Sequence, residues 1–229
     1  MARMLHQQLK QYYVSDTSQH EVVVGAFRID AVDSRGRLIE VQCASLSAIR
    51  DKVRILVNDH FVIVAKPLTA RKKIVTLNGP GGDVVSCRFS PVRQSLFHLF
   101  LELVHFGIFP HPRLQLDVLL LQLEEHRIPP SGRSSRRKNY SVEDRLLVAV
   151  QQRVKLRTAA DLWRALDLQL PEEFTTSDMI SNAKMPRWLA QKAAWCFRRM
   201  NFIEPCGKQR NTIVYRLVKP LRVKRPKAA

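Results

Sequence analysis

The sequence predicts an α+β chain: a small α/β core on a mixed central sheet, followed by a mainly helical second unit. Three observations predict this. The N-terminal half runs helix, two hairpin strands, helix, strand, hairpin, helix, strand, an order that suits helices packed on a mixed sheet. Pro129-Pro130-Ser131-Gly132-Arg133-Ser134-Ser135-Arg136-Arg137-Lys138 then interrupts the pattern, because prolines, glycine and serines oppose regular structure. Beyond it, amphipathic helical spacing dominates. The expected organisation is a core at 1–128, a basic linker at 129–139, a second unit at 140–218 and a basic tail at 219–229.

Each element follows from local pattern. Met4 to Val14 reads as a short helix ending before Ser15-Asp16-Thr17-Ser18. Glu21 to Val32 and Arg37 to Cys43 read as strands from their β-branched content and alternation. In Ser45 to Asn58, Leu46, Ile49, Val53, Leu56 and Val57 fall at helical spacing, with Ser45 or Ser47 as N-cap. His60 to Ala65 is a continuously apolar strand of a sheet interior. Residues 72–89 read as a looser hairpin around Asn78-Gly79-Pro80-Gly81-Gly82, Ser95 to Phe106 as a buried helix, and Leu114 to Gln122 as a strand.

Composition narrows the function classes. The 229 residues are 45% hydrophobic and 25% charged, which is globular. The formal charge of +18 favours a polyanionic partner, nucleic acid before membrane. Residues 129–229 carry 22 Lys and Arg against 8 Asp and Glu, so most of the excess lies there. Cys43, Cys87, Cys196 and Cys206 form no CxxC pair, and no secretory h-region follows Met1-Ala2-Arg3-Met4, so a reducing cytoplasm is expected. Zinc spacing is missing, and no apolar run reaches the ~18 residues of a membrane span. Gly79-Pro80-Gly81-Gly82 lacks the lysine of a phosphate loop, and no G-x-S-x-G elbow occurs.

The chemistry concentrates on one hairpin, Phe27-Arg28-Ile29-Asp30 and Leu38-Ile39-Glu40-Val41-Gln42, joined by Asp33-Ser34-Arg35-Gly36-Arg37. With Ser34, Arg35 and Gly36 as the turn, Asp33 faces Arg37, Asp30 faces Glu40 and Arg28 faces Gln42. Alternation then puts Arg28, Asp30, Glu40 and Gln42 on one face and Phe27, Ile29, Ile39 and Val41 on the other. Opposed carboxylates repel, and a divalent cation between them removes that penalty. This is the geometry of a Mg²⁺-dependent nuclease site.

In the second unit, Tyr140 to Val154 and Thr158 to Leu166 read as helices, and Thr175-Thr176-Ser177 caps a short helix through Asn182. Pro186 opens a longer one in which Leu189, Ala193, Cys196, Phe197 and Met200 share a face. Arg187, Gln191 and Arg198 fall on another, with Trp188, Lys192 and Arg199 beside them. Phe202-Ile203-Glu204, a turn at Cys206 to Asn211 and a strand Thr212 to Val218 complete a winged helix-turn-helix order. The basic helix would enter the major groove, and Lys208 and Arg210 would meet phosphates.

His6 and Lys10 on the first helix, Glu21, Arg28-Ile29-Asp30 and Ile39-Glu40-Val41-Gln42 with the following helix resemble the PD-(D/E)XK nuclease superfamily. The resemblance covers residues 4–66 and is greatest to the group around competence protein CoiA, which carries E-x-Q in place of E-x-K. It implies a restriction-endonuclease-like core and Mg²⁺ (or Mn²⁺) on Asp30, Glu40 and the Val41 carbonyl, with Glu21 on a second metal or a metal-bound water. It implies that Gln42 orients water without supplying charge, so that Lys52 or Lys10 brings the cation. Overall the chain resembles bacterial proteins joining such a core to a winged helix. The function expected is Mg²⁺-dependent DNA cleavage in the cytoplasm. The rivals are a non-catalytic DNA-binding regulator with a degenerate core, and a scaffold whose winged helix binds protein.

Overall fold

The structure is a computed structural model that describes residues 3–130 and 139–218. Its centre is a 7-stranded mixed sheet in the order β1-β2-β3-β4-β6-β7, with β5 paired to β4 off that path. These strands are β1 (His20–Val24), β2 (Phe27–Val32), β3 (Leu38–Val41), β4 (Val62–Leu77), β5 (Val84–Phe89), β6 (Leu114–Ile128) and β7 (Ser141–Leu156). β1, β2 and β3 form an antiparallel meander, β3, β4 and β6 run parallel, and β7 returns antiparallel to β6.

Both faces of the sheet are covered. Helix α1 (Arg3–Tyr13) lays Leu5 and Leu9 on one face, against Ala31, Ile39, Val41, Ile63 and Ala65. Helices α2 (Arg50–Leu56) and α3 (Phe100–Phe106) cover the other, where Val53, Leu56, Phe100 and Leu103 meet Leu38, Val62 and Val64. Burial on both sides explains why the start of β4 is continuously apolar and why β3 is apolar but for Glu40. Ser45 caps the 3₁₀ turn Leu46–Ile49 that leads into α2, as expected.

The C-terminal part holds α4 (Ala159–Leu166), β8 (Glu173–Phe174), α5 (Thr176–Ala183), α6 (Arg187–Arg199), β9 (Ile203–Gln209) and β10 (Thr212–Leu217), with a small antiparallel sheet β8-β10-β9. Thr158 and Thr175 each close a capping box with an aspartate three residues on, which starts α4 and α5. Trp163 centres this part, with its ring 5.0 Å from Phe197, 5.5 Å from Phe202 and 5.6 Å from Phe174.

Several expectations are corrected. Tyr140 to Val154 is not a helix: β7 pairs with β6 from Ser141↔Ile128 to Leu156↔Leu116. Three irregularities in that register break the alternation that marks a strand, so Leu146, Leu147, Val150 and Val154 mimic helical spacing. A unit starting at 140 therefore begins with a strand of the large sheet. The two parts also share one hydrophobic cluster, with Phe100 of α3 5.4 Å from Phe197 of α6. Glu21 to Val32 is two strands, because the chain reverses at Gly25, whose φ of 57° suits glycine. β4 and β6 run well beyond Ala65 and Gln122. The turn expected at Cys206 to Asn211 tightens to Arg210 and Asn211, since β9 continues through Gln209. Residues 131–138 of the linker and the tail at 219–229 lie outside the described residues.

Candidate functional site

The β2–β3 turn fixes the register of the site. Asp33 N–H donates to the Arg37 carbonyl at 3.1 Å, and Gly36 N–H to the Asp33 carbonyl at 2.9 Å. The Arg37 Nε donates to Asp33 Oδ2 at 2.7 Å. Two Cα pairs follow, Val32↔Leu38 and Ala31↔Ile39, which leaves Asp30 next in line with Glu40. There the main-chain ladder stops, and Asp30 Oδ2 itself accepts the Val41 N–H at 2.8 Å. The carboxylate stands in for a backbone acceptor, so β2 peels away from β3 at this point. The expected common face is corrected accordingly. Ile29 packs with Leu38 and Val62, whereas Ile39 and Val41 pack with Leu5 and Leu9. Arg28 makes no ladder pair with Gln42; its Nε lies 2.8 Å from Glu21 Oε2.

Five elements bring charged groups to this point. His6 of α1 reaches Asp30, with Nε2 3.2 Å from Oδ2. Lys10, one turn on, forms a short ion pair with Glu21 of β1. Lys52, in the first turn of α2, places Nζ 2.5 Å from Glu40 Oε1 and 2.5 Å from the Arg28 carbonyl. The two lysines named as alternative cations thus divide: Lys52 serves Glu40 and Lys10 serves Glu21. Glu21 bridges two cations from a backbone with φ of 55°, a strained conformation for glutamate.

The two opposed carboxylates are tuned apart. Burial pushes the Glu40 carboxyl up, and the negative charge of Asp30 adds to this against the hydrogen bond from Lys52. For Asp30, burial also opposes ionisation, but the hydrogen bonds from His6 and Val41 outweigh it and hold the carboxyl low. The same Asp30 hydrogen bond raises His6 above its ordinary value, against desolvation. Among the described residues, no three His, Cys, Asp or Glu side chains cluster into a metal cage. The donors on hand are the carboxylates of Asp30 and Glu40, hard oxygen ligands of the kind Mg²⁺ and Mn²⁺ take together with water.

Gln42 does not turn to the carboxylates. Its main-chain N–H continues the parallel ladder to the Ala65 carbonyl at 2.9 Å, and its side-chain amide donates to the Ser45 carbonyl at 2.9 Å. It lines a cavity of about 740 Å³ with His6, Val41, Lys66, Glu102 and Arg145. Sequence reading did not select Lys66. Its side chain is buried, with Nζ 3.0 Å from Glu102 Oε1 and 2.5 Å from the Ala44 carbonyl, while Glu102 Oε2 accepts the Leu46 N–H at 2.8 Å. A cation ending the apolar run Val62-Ile63-Val64-Ala65 was the available signal.

The expected nucleic-acid contacts fall on α6 and the β9–β10 hairpin. Arg187, Gln191, Arg198 and Arg199 are exposed and Lys192 half-buried, opposite the buried Leu189, Ala193, Cys196 and Phe197. Lys208 pairs across from Ile213, and Arg210 forms the tip; both are exposed. No helix among the described residues is long and apolar enough to cross a membrane.

Comparison with known proteins gives two matches. An uncharacterized protein of Treponema pallidum (strain Nichols) is 28% identical over 217 residues, covering 94% of this chain and 85% of that protein. No solved structure matches. Residues 3–157, from α1 to the residue after β7, match the family described as Domain of unknown function (DUF8091). The chain belongs to the DUF8091 family.

Proposed function

We propose that this protein processes DNA, with an N-terminal restriction-endonuclease-like core that hydrolyses phosphodiester bonds and a C-terminal winged helix that holds the substrate. The observation that carries the reading is the proximity of the Asp30 and Glu40 carboxylates where the β2–β3 ladder ends, with His6 on Asp30, Lys52 on Glu40 and the Lys10–Glu21 ion pair nearby. The succession α1, β1, β2, β3, α2, β4, with β4 parallel to β3, agrees with it. So does the succession α4, β8, α5, α6, β9, β10 for a winged helix.

Asp30, Glu40 and the Val41 carbonyl would hold Mg²⁺ or Mn²⁺. Bound there, the ion would supply Lewis acidity and a coordinated water more acidic than bulk water. The chain's own residues do the rest. Lys52 and Lys10 place positive charge beside the carboxylates, where charge develops on a reacting phosphate. Glu21 holds Lys10 and Arg28 in position. His6 keeps Asp30 ionised. Arg187, Gln191, Lys192, Arg198 and Arg199 on α6, with Lys208 and Arg210 on the wing, take phosphates and base edges. The net charge of +18 supports a polyanionic partner, and the free Cys43, Cys87, Cys196 and Cys206 support a reducing cytoplasm.

A second reading, a non-catalytic DNA-binding regulator with a degenerate core, is favoured by Gln42, whose amide is committed to Ser45 and carries no charge. One experiment separates the two. Single-stranded and duplex DNA are incubated with the full chain and Mg²⁺, Mn²⁺ or chelator. The same is done with Asp30→Ala and Glu40→Ala. Metal-dependent cleavage that falls by about 100-fold or more in each variant is expected. Cleavage at the wild-type rate in either variant refutes the site. Salt-sensitive binding without cleavage selects the regulator.

A further inference from the structure

Helix α6 carries a feature that phosphate binding leaves unexplained. Trp188 is 48% exposed and Trp195 42%, while Leu189, Ala190, Ala193, Ala194, Cys196 and Phe197 of the same helix are buried. The two indoles are seven residues apart, hence on one face and about 10 Å apart along the axis. They interleave with Arg187, Gln191 and Arg198, and the Arg199 guanidinium stands 5.2 Å from the Trp195 ring centroid. The helix contains no acidic residue. Among the described residues of the C-terminal part, the ion pairs are Arg164–Asp161 and Arg216–Glu204, so the α6 cations have no carboxylate.

We propose that this face binds single-stranded nucleic acid, with Trp188 and Trp195 stacking on unpaired bases while Arg187, Lys192, Arg198 and Arg199 meet the phosphates. This rests on the nucleic-acid reading of the C-terminal part and specifies its substrate. A duplex hides the faces of its bases; the major groove offers only edges, donors, acceptors and thymine methyls. An indole has a single N–H donor and a broad π-face, so it reads edges poorly. A single strand presents every base by its face, and aromatic side chains beside cations are how such strands are held. The sorting along α6 is otherwise strict, with apolar residues inward and polar ones outward, so two outward indoles mark a contact surface. A protein partner would also cover indoles, but uncompensated positive charge on the same face fits a polyanion.

The test uses the full chain and fluorescence anisotropy at one salt concentration, with an oligothymidylate and a duplex of equal length as probes. Trp188→Ala and Trp195→Ala should each weaken binding of the oligothymidylate by about 5- to 100-fold and leave duplex affinity nearly unchanged. Trp195→Phe should recover most of the loss, since a ring remains. The buried Trp163, 6% exposed, serves as an internal folding reporter. Its emission persists in the double variant, whereas quenching by the oligothymidylate disappears. Wild-type binding that both alanine variants retain, or loss that is equal for duplex and single strand, overturns the inference and leaves the nucleic-acid reading standing. Failure of the wild type to bind either probe overturns both.

Discussion

Glu125→Gln removes one buried charge from β6 and should make the protein's stability less dependent on acid. Glu125 is buried, and three cations converge on it. Lys72 Nζ lies 3.0 Å from Oε2, Arg145 Nε 2.9 Å from Oε2 and Arg127 Nη2 2.7 Å from Oε1. Burial opposes ionisation, but the hydrogen bonds from Arg127, Arg145 and Lys72 outweigh it and hold the carboxyl at about 2, against an ordinary 4.5. At about 1.4 kcal/mol per pH unit this corresponds to about 3 kcal/mol. Solvent at the partly exposed Arg145 trims it to about 2 kcal/mol. Because the folded value lies below the unfolded one, this contribution is complete above about pH 4.5 and is lost as pH falls towards 2. Glutamine keeps the volume but cannot ionise. Urea denaturation followed by circular dichroism should therefore show the variant about 2 kcal/mol less stable than wild type near neutral pH, with the gap closing below about pH 3. Lys72 and Arg145 also line the cavity beside Gln42, so the variant should alter any anion affinity measured there. A gap that stays constant across that pH range would refute the reasoning.

His6 is raised chiefly by its hydrogen bond to Asp30, so its contribution is full below about pH 6.5 and is lost as pH rises through the folded value. The melting temperature of wild type relative to His6→Gln should thus fall between mildly acidic and mildly alkaline buffer. Lys66→Met leaves the partly exposed Glu102 with its Ser45 and Leu46 hydrogen bonds alone and should cost about 1–3 kcal/mol in denaturant titration, and adding Glu102→Gln, which keeps an acceptor for the Leu46 N–H, should recover part of it. Phe197→Ala should cost about 3–5 kcal/mol. Because Phe197 touches both Phe100 and Trp163, near- and far-ultraviolet signals should lose stability together as one transition.

What the sequence determined by itself is local. The Asp33–Arg37 turn, the Ser45 cap and the Thr175 cap join residues two to four apart, so the pattern of side chains is enough to place them. Counting outward from that turn gives Val32↔Leu38 and Ala31↔Ile39 and puts Asp30 next in line with Glu40, because the loop length sets the register; that the ladder ends there depends on the Asp30 carboxylate taking the Val41 N–H. The buried and basic sides of α6 follow from helical period alone.

Tertiary structure decided what depends on distant partners. Ser141 to Leu156 became a strand because β6 supplies an edge for it to pair with, and its irregular register had hidden the alternation. The cations divided as Lys52 to Glu40 and Lys10 to Glu21 because the approach of α2 and α1 to the sheet sets reach, which spacing cannot encode. Gln42 turned to Ser45 at the exposed exit from β3, while Lys66 on the neighbouring β4 closed on Glu102 because a buried ammonium must be paired. The core common to both parts arose the same way. α3 was legible as a buried helix and α6 by its apolar face, but only the fold shows that they bury one another.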